Sequence, residues 1–364
     1  NSAAVELASW FLRKCPFMAG TDLPLPTSEA ELEDLLARPT PLAQHAMRQM
    51  QGELLLLGAG GKMGPSLARL ARRAANAVGK HNQRIIAVSR FSDPAIPAQL
   101  RAEGIEVLAG DLLDENFRRQ LPQVENVLFL VGHKFSKHDL PGQYWAMNVY
   151  LPGLLAEQFA RSRIVCFSSG NVYPFTPVGA PAPCEADPTG PVGEYAASVL
   201  GREGVLRFVS SRHGTPVCLL RLTYAVEARY GVLVDLAKMI LDRQTISLAV
   251  PEFNFVWQGY ANAVALAAFA KATSSATLLN VTGLERLRVR DVALELGRRL
   301  GVEPKFADNE GDRALVSDAR RCRAWFGEPD IGPEQLYDLV ADWVGNGRAT
   351  LAKPTMFQVA DGKY

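Results

Sequence analysis

Leu54-Leu55-Leu56-Leu57-Gly58-Ala59-Gly60-Gly61-Lys62-Met63-Gly64 runs straight into a stretch that carries Leu67, Leu70 and Ala74 at helical spacing. Four consecutive leucines suit a strand buried on both faces, and the glycines that follow let the chain turn tightly before a helix begins. A glycine-rich turn between a core strand and a helix lets backbone N–H groups approach a pyrophosphate, and the helix N-terminus adds a favourable field. The reading is a dinucleotide site at Gly58, Gly61, Lys62, Met63 and Gly64; the alternative is a purely structural turn.

Working outward, short apolar runs recur at Ile85–Val88, Val107–Ala109, Val127–Val131, Ile164–Phe167 and Val217–Leu220, with helix-length stretches between them. That alternation predicts an α/β, Rossmann-like doubly wound parallel sheet. Residues 1–50 read as an N-terminal helical extension. Within it, the run Thr27-Ser28-Glu29-Ala30-Glu31-Leu32 has a cap residue and early acids that mark a helix start ahead of the periodicity of Leu32, Leu35 and Leu36. This extension could cap the domain, pair two subunits or form an accessory helix pair.

The tip of the second strand bears on the cofactor. A dinucleotide site for NAD usually places an acid there, on the adenosine ribose. Here the strand ends in Val88-Ser89-Arg90, with no acid until Asp93. Arg90, helped by Ser89 and by Lys62, suits a 2′-phosphate, so the cofactor is NADP or NAD with a lean towards NADP; the alternative is a solvated arginine.

Composition limits the rest. The 364 residues are 48% hydrophobic and 21% charged with a net charge of +1, a soluble globular balance without the basic surplus of a nucleic-acid binder. Cys15, Cys166, Cys184, Cys218 and Cys322 lack C-x-x-C spacing, which points to reduced thiols, and the five histidines show no metal spacing. No apolar run reaches the roughly 18 residues of a membrane span, and no signal segment opens the sequence. A cytoplasmic protein is expected, with no membrane, nucleic-acid or metal partner.

Further motifs give the sequence a family likeness. Gly110-Asp111-Leu112, Asn148-Val149, Phe167-Ser168-Ser169-Gly170-Asn171-Val172-Tyr173, Leu220-Arg221 and Leu279-Asn280-Val281-Thr282-Gly283 follow the glycine loop in order, with Asp318 and Trp343 as weaker landmarks. The chain thereby resembles the extended short-chain dehydrogenase/reductases, in particular the NAD-dependent epimerase/dehydratase group acting on nucleotide-linked sugars. The resemblance implies an NAD(P)-binding domain from residues 51–221 and 255–282, a substrate region from 222–254 and 283–345, and a tail at 346–364. It places Asp111 and Leu112 on the adenine side and Asn148 beside the active site. It implies hydride transfer on a small-molecule substrate such as a nucleotide sugar, and a homodimer is plausible by the same likeness.

In that family a Ser or Thr binds the reacting oxygen and a Tyr exchanges its proton. A Lys four residues after the Tyr binds the nicotinamide ribose and lowers the Tyr pKa. Ser169 and Tyr195 match the first two. The third position is Val199, and none of the nine tyrosines has a lysine four residues on. Arg202, two helical turns along, is either a source of positive field or a surface arginine. His133, Lys134 and Lys137 follow the fourth strand, where His133 is closest to a family histidine. The family's His-Val-x-Asp-Val element is altered at Gln258 and Asn262. Arg221, Arg229, Arg286, Arg288 and Arg290 are candidates for a diphosphate or for a solvated face. A second reading follows: a dinucleotide-binding protein that has lost its chemistry and serves as a sensor or partner subunit.

Overall fold

A computed structural model describes residues 24–134, 141–351 and 353–362. Seven parallel strands form its central sheet: β1 (Leu54–Leu57), β2 (Ile85–Ser89), β3 (Glu106–Ala109), β4 (Asn126–Phe129), β5 (Arg163–Ser169), β6 (Val217–Leu222) and β7 (Thr277–Val281). Their order is β7-β6-β5-β4-β1-β2-β3, so the winding reverses between β1 and β4. A crevice opens at such a reversal, outside the carboxyl ends of the strands, and ligands bind there. This is the doubly wound α/β fold expected from the strand pattern.

The leucine run explains why β1 is central. Leu54 and Leu56 point into one core and Leu55 and Leu57 into the core on the opposite face, all four with no solvent exposure. A half-exposed strand would alternate apolar with polar residues; a strand covered on both faces does not. Helix α3 (Gly64–Ala77) follows the glycine loop on one face; after α4 (Ala95–Ala102), α5 (Glu115–Arg119) and α6 (141–158), α7 (Gly193–His213) lies against β5 and β6.

In the N-terminal segment, α1 (Glu29–Leu36) starts within the run that the sequence marks, and the cap is Ser28, whose side chain accepts from the Glu31 amide at 3.2 Å. Helix α2 (Pro41–Gln49) packs on α3 and on a later helix, Gln258–Ala267, through Leu42, Ala43, Ala46 and Met47. These helices cap one face of the sheet and share its core. Beyond the sheet, Val232–Leu241, Val289–Leu300 and Pro333–Gly345 pack together as a helical layer.

Candidate active site

The glycine loop is shaped by contacts that only glycine permits. Gly58 has φ of +89°, and a Cβ there would stand 2.8 Å from the Val131 backbone nitrogen. A Cβ on Gly64 would stand 2.3 Å from the Ala59 carbonyl oxygen. Gly61 differs, because a Cβ there would meet nothing closer than 3.4 Å. It is exposed, and its missing side chain leaves room above the loop for a ligand. Helix α3 opens beyond Met63 with no side-chain cap. An uncapped helix start beside an open glycine fits a pyrophosphate through the amides of Lys62 and Met63.

On the adenine side, Ser89 lies against the loop, where a Cβ on Gly60 would stand 2.7 Å from its Oγ. Arg90 is exposed and reaches Asp111 across 4.0 Å. Asp111 itself accepts from the Leu113 amide at 2.9 Å, and Leu112 beneath it is buried. Lys62 does not join this group. Its side chain runs the other way, donating to the Ala225 carbonyl at 3.0 Å and standing 3.5 Å from the centre of the Tyr230 ring. The expectation that it assists a 2′-phosphate is therefore corrected: the Ala225 carbonyl and the Tyr230 ring hold its amine.

Ser169 ends β5 and caps the short turn Gly170–Val172, its Oγ accepting from the Asn171 amide at 3.2 Å. Tyr195 is half-buried in the first turn of α7, where Tyr144 meets it edge-on at 6.4 Å. Val199, one turn on, is buried against Val172, Tyr173, Tyr195 and Leu200. That pocket is apolar, and the family lysine has no counterpart on this helix.

Arg202 is not a surface residue. It is buried, donating to the Phe167 carbonyl at 2.8 Å and to the Asn148 side chain at 2.6 Å. The helical spacing is right, but packing of this face against β5 takes the guanidinium inside. Asn148 sits in a single π-helical turn, Ala146–Tyr150, and is fully buried. Its Oδ1 accepts from the His133 amide at 2.8 Å; its Nδ2 donates to the His133 carbonyl and to Ser198 Oγ, both at 3.0 Å. The segment after β4 is thus clamped to the helix of Tyr195, a tie invisible to a reading of separate motifs.

Lys134 is next along that clamped segment. Its Nζ donates to the Tyr230 hydroxyl at 3.0 Å. Two lysines therefore converge on one tyrosine, with Asp235 and Glu227 close by. Burial, with the charges of Lys134 and Arg229 added, pushes the Lys62 ammonium well below its ordinary pKa against the pull of Glu227 and Asp235. Burial also opposes the charge of Lys134, but the phenol oxygens of Tyr230 and Tyr195, the Tyr230 hydrogen bond and Asp235 outweigh it and raise its pKa. Adjacent ammoniums repel, and the two shifts run in opposite directions, down for Lys62 and up for Lys134. The C-terminal segment is anchored on both sides of this cluster: Thr355 donates to Asp235 from its amide at 2.7 Å and its hydroxyl at 2.6 Å, and Gly362 packs on Gly193.

The arginines proposed for a diphosphate are engaged within the chain. Arg221 pairs with Glu203, Arg229 with Glu227 and Glu33, Arg286 with Glu252 and Arg288 with Glu310, while Arg290 stacks on Phe306. Gln258 and Asn262 are buried and both donate to Ser66, under the glycine loop and not in the crevice. Cys166, Cys218 and Cys322 are buried free thiols whose pKa values burial pushes up to about 11, 12 and 12; Cys184 is half-buried and free. Cys15 and Lys137 lie outside the described residues. Among the described residues no cluster of His, Cys, Asp and Glu could hold a metal ion, and no helix is long and apolar enough to cross a membrane.

Solved structures share this architecture. The UDP-glucuronic acid 4-epimerase from Bacillus cereus, in complex with UDP-glucuronic acid and NAD, is 14% identical, with a TM-score of 0.66 over 81% of this chain and 99% of its own. MoeE5, in complex with UDP-glucuronic acid and NAD, is 19% identical, with a TM-score of 0.64 over the same shares. The Bordetella bronchiseptica enzyme WbmH, in complex with NAD+, is 15% identical, with a TM-score of 0.62 over 80% of this chain and 98% of its own. At these identities the likeness is one of fold. No curated protein sequence matches the chain. The sequence profile of one family does, over residues 54–242, more than half the length and spanning the glycine loop, Ser169, Tyr195 and Tyr230. By that match, on this fold, the chain belongs to the NAD dependent epimerase/dehydratase family.

Proposed function

We propose that this protein binds NADP or NAD and uses it for hydride transfer at a sugar or carbonyl carbon of a nucleotide-linked sugar, as an epimerase, dehydratase or reductase. The observation that carries the reading is the gathering of an open glycine cradle, Ser169 and Tyr195 at the carboxyl edge of one parallel sheet. The Bacillus cereus relative by fold holds UDP-glucuronic acid and NAD together, which supports a substrate of that class.

When bound, the nicotinamide supplies the hydride acceptor and donor. The chain does the rest. The amides of Lys62 and Met63 hold the pyrophosphate, with Asp111 and Leu112 on the adenine side. Ser169 Oγ orients the reacting oxygen, and Tyr195 Oη takes the proton from that oxygen and returns it. Asn148 fixes the segment after β4 against the Tyr195 helix. The test is turnover of a panel of nucleotide sugars with either cofactor, read by product chromatography. Tight dinucleotide binding with no turnover of any of them would favour the second reading, a cofactor-binding protein without chemistry, which the apolar pocket of Val199 supports.

The lean towards NADP rests on Arg90. Among the described residues its ion-pair partner is a distant, exposed carboxylate, Asp111, which costs little to leave. Charge-assisted hydrogen bonds to a 2′-phosphate are worth about 1.5–3 kcal/mol. Arg90→Ala is expected to weaken NADPH by roughly ten- to a hundredfold and NADH hardly at all. Equal losses in fluorescence titration would refute the 2′-phosphate role.

A further inference from the structure

We propose that the C-terminal segment 353–362 is a latch: it is rooted on the helix Val232–Leu241, closes on the start of the Tyr195 helix, and uses Gln358 to grip the nucleotide-linked sugar it closes over. The inference rests on the reading of the crevice as a nucleotide-sugar site.

The root is built to stay in place. Thr355 is buried and gives both its amide and its hydroxyl to Asp235, and Phe357 is buried in the core that also takes in Val232, Leu233 and Leu236. Between them Met356 has φ of +56°, a left-handed backbone that a residue with a side chain keeps only where its surroundings impose it. The Val359 amide then donates back to the Met356 carbonyl at 3.0 Å, so the chain turns just past its root.

The tip is built to release. Ala360 and Asp361 are exposed, and Gly362 meets Gly193 backbone against backbone. Both glycines have positive φ, +70° and +83°. A Cβ on Gly362 would stand 2.7 Å from the Gly193 Cα, and one on Gly193 2.5 Å from the Gly362 carbonyl oxygen. Neither residue has a side chain to bury, so parting them exposes little apolar surface.

The two anchors belong to opposite walls. Gly193 lies two residues before Tyr195. Asp235 lies five residues after Tyr230, on which Lys62 of the glycine loop and Lys134 beyond β4 converge. The seven residues from Thr355 to Gly362 span at most about 25 Å, so the latch holds those walls within that distance.

Gln358 stands between root and tip. With Arg229, Tyr230, Lys238, Met356 and Phe357 it lines a cavity of about 400 Å³. Its Oε1 is buried and has no hydrogen-bond partner among the described residues. A buried acceptor without a donor is a standing cost, which a sugar hydroxyl entering beside Tyr230 removes. Gln358 is thus a binding residue for the substrate, supplied by the latch.

Hydrogen exchange of the peptide over 353–362 tests this in the full chain with NADPH bound, before and after UDP-glucuronic acid is added, beside calorimetry of the same titration. Exchange is expected to slow roughly fivefold or more as the latch closes. Gly362→Val, which cannot seat on Gly193, should lose that slowing and bind UDP-glucuronic acid about tenfold more weakly, with Tm and NADPH affinity unchanged. Gln358→Leu should keep the slowing and weaken UDP-glucuronic acid roughly three- to tenfold. Bound UDP-glucuronic acid with unchanged exchange, or wild-type affinity in Gly362→Val, overturns the latch; wild-type affinity in Gln358→Leu overturns the grip. Slowed exchange without turnover of any nucleotide sugar would keep the latch and sink the hydride chemistry. A wild type that binds no nucleotide sugar would sink both.

Discussion

Gly61→Val is expected to fold normally and to lose dinucleotide binding by roughly a hundred- to ten-thousandfold. The loop offers three ways to damage it, and only this one separates binding from folding. Gly58 needs its positive φ and its contact with the Val131 backbone, and Gly64 packs on the Ala59 carbonyl, so a side chain at either would strain the loop itself. At Gly61 the first methyl would meet only the Gly58 carbonyl at 3.4 Å, an ordinary contact. Valine there instead fills the space above the helix start. Two charge-assisted hydrogen bonds to the pyrophosphate, each worth about 1.5–3 kcal/mol, would be forfeited. The check is a thermal melt beside fluorescence titration of NADH and NADPH. Unchanged affinity at unchanged Tm would show that the pyrophosphate does not use this cradle.

The extent to which this site could be read from sequence follows from what each feature depends on. The leucine run and the glycine turn are local, and their spacing alone predicts a buried strand and an anion-binding helix start; strands β1 to β6 fall where the apolar runs place them. Ser169 and Tyr195 could be marked because motif order along the chain carries them. The direction of Lys62 could not, since 163 residues separate it from the Ala225 carbonyl that captures it. Arg202 shows the limit of periodicity: helical spacing says which residues share a face, not whether that face meets solvent or β5. The convergence of Lys62 and Lys134 on Tyr230 depends on three distant loops meeting at one sheet edge, which no window of sequence contains. The missing lysine at Val199 was legible as an absence, whereas the apolar cluster that surrounds Val199 required the fold.

Glu203→Gln is expected to cost about 3–5 kcal/mol of stability and to lower Tm by roughly 10 °C. Glu203 and Arg221 are almost wholly buried and joined by two parallel hydrogen bonds, of 2.9 and 2.7 Å. Ser168 donates to the same carboxylate at 2.5 Å; Arg221 also donates to Tyr173 Oη at 2.8 Å, which donates onward to Asn280. Removing the negative charge leaves the guanidinium with no water and no counterion, a larger loss than the pair's net worth. The pairing raises the already high pKa of Arg221: burial opposes the charge, but the Glu203 hydrogen bonds and charge overcome it. A group whose folded pKa is raised contributes stability that is fully present below its unfolded value and lost only as pH rises through the folded one. The penalty in Glu203→Gln should therefore be constant across the neutral range. Glu203→Leu with Arg221→Met removes both charges at once and should recover much of the loss, though not all, because Ser168 and Tyr173 would each lose a partner. Denaturant melts of the three proteins test this. A loss below about 1 kcal/mol in Glu203→Gln would mean that the pair is not the clasp it looks to be. The clasp bears on chemistry as well, because Ser168 adjoins Ser169 on β5 and Glu203 lies on the helix that carries Tyr195. Loosening it is expected to misplace both candidate catalytic groups together, so kcat should fall in Glu203→Gln even at temperatures where the protein stays folded.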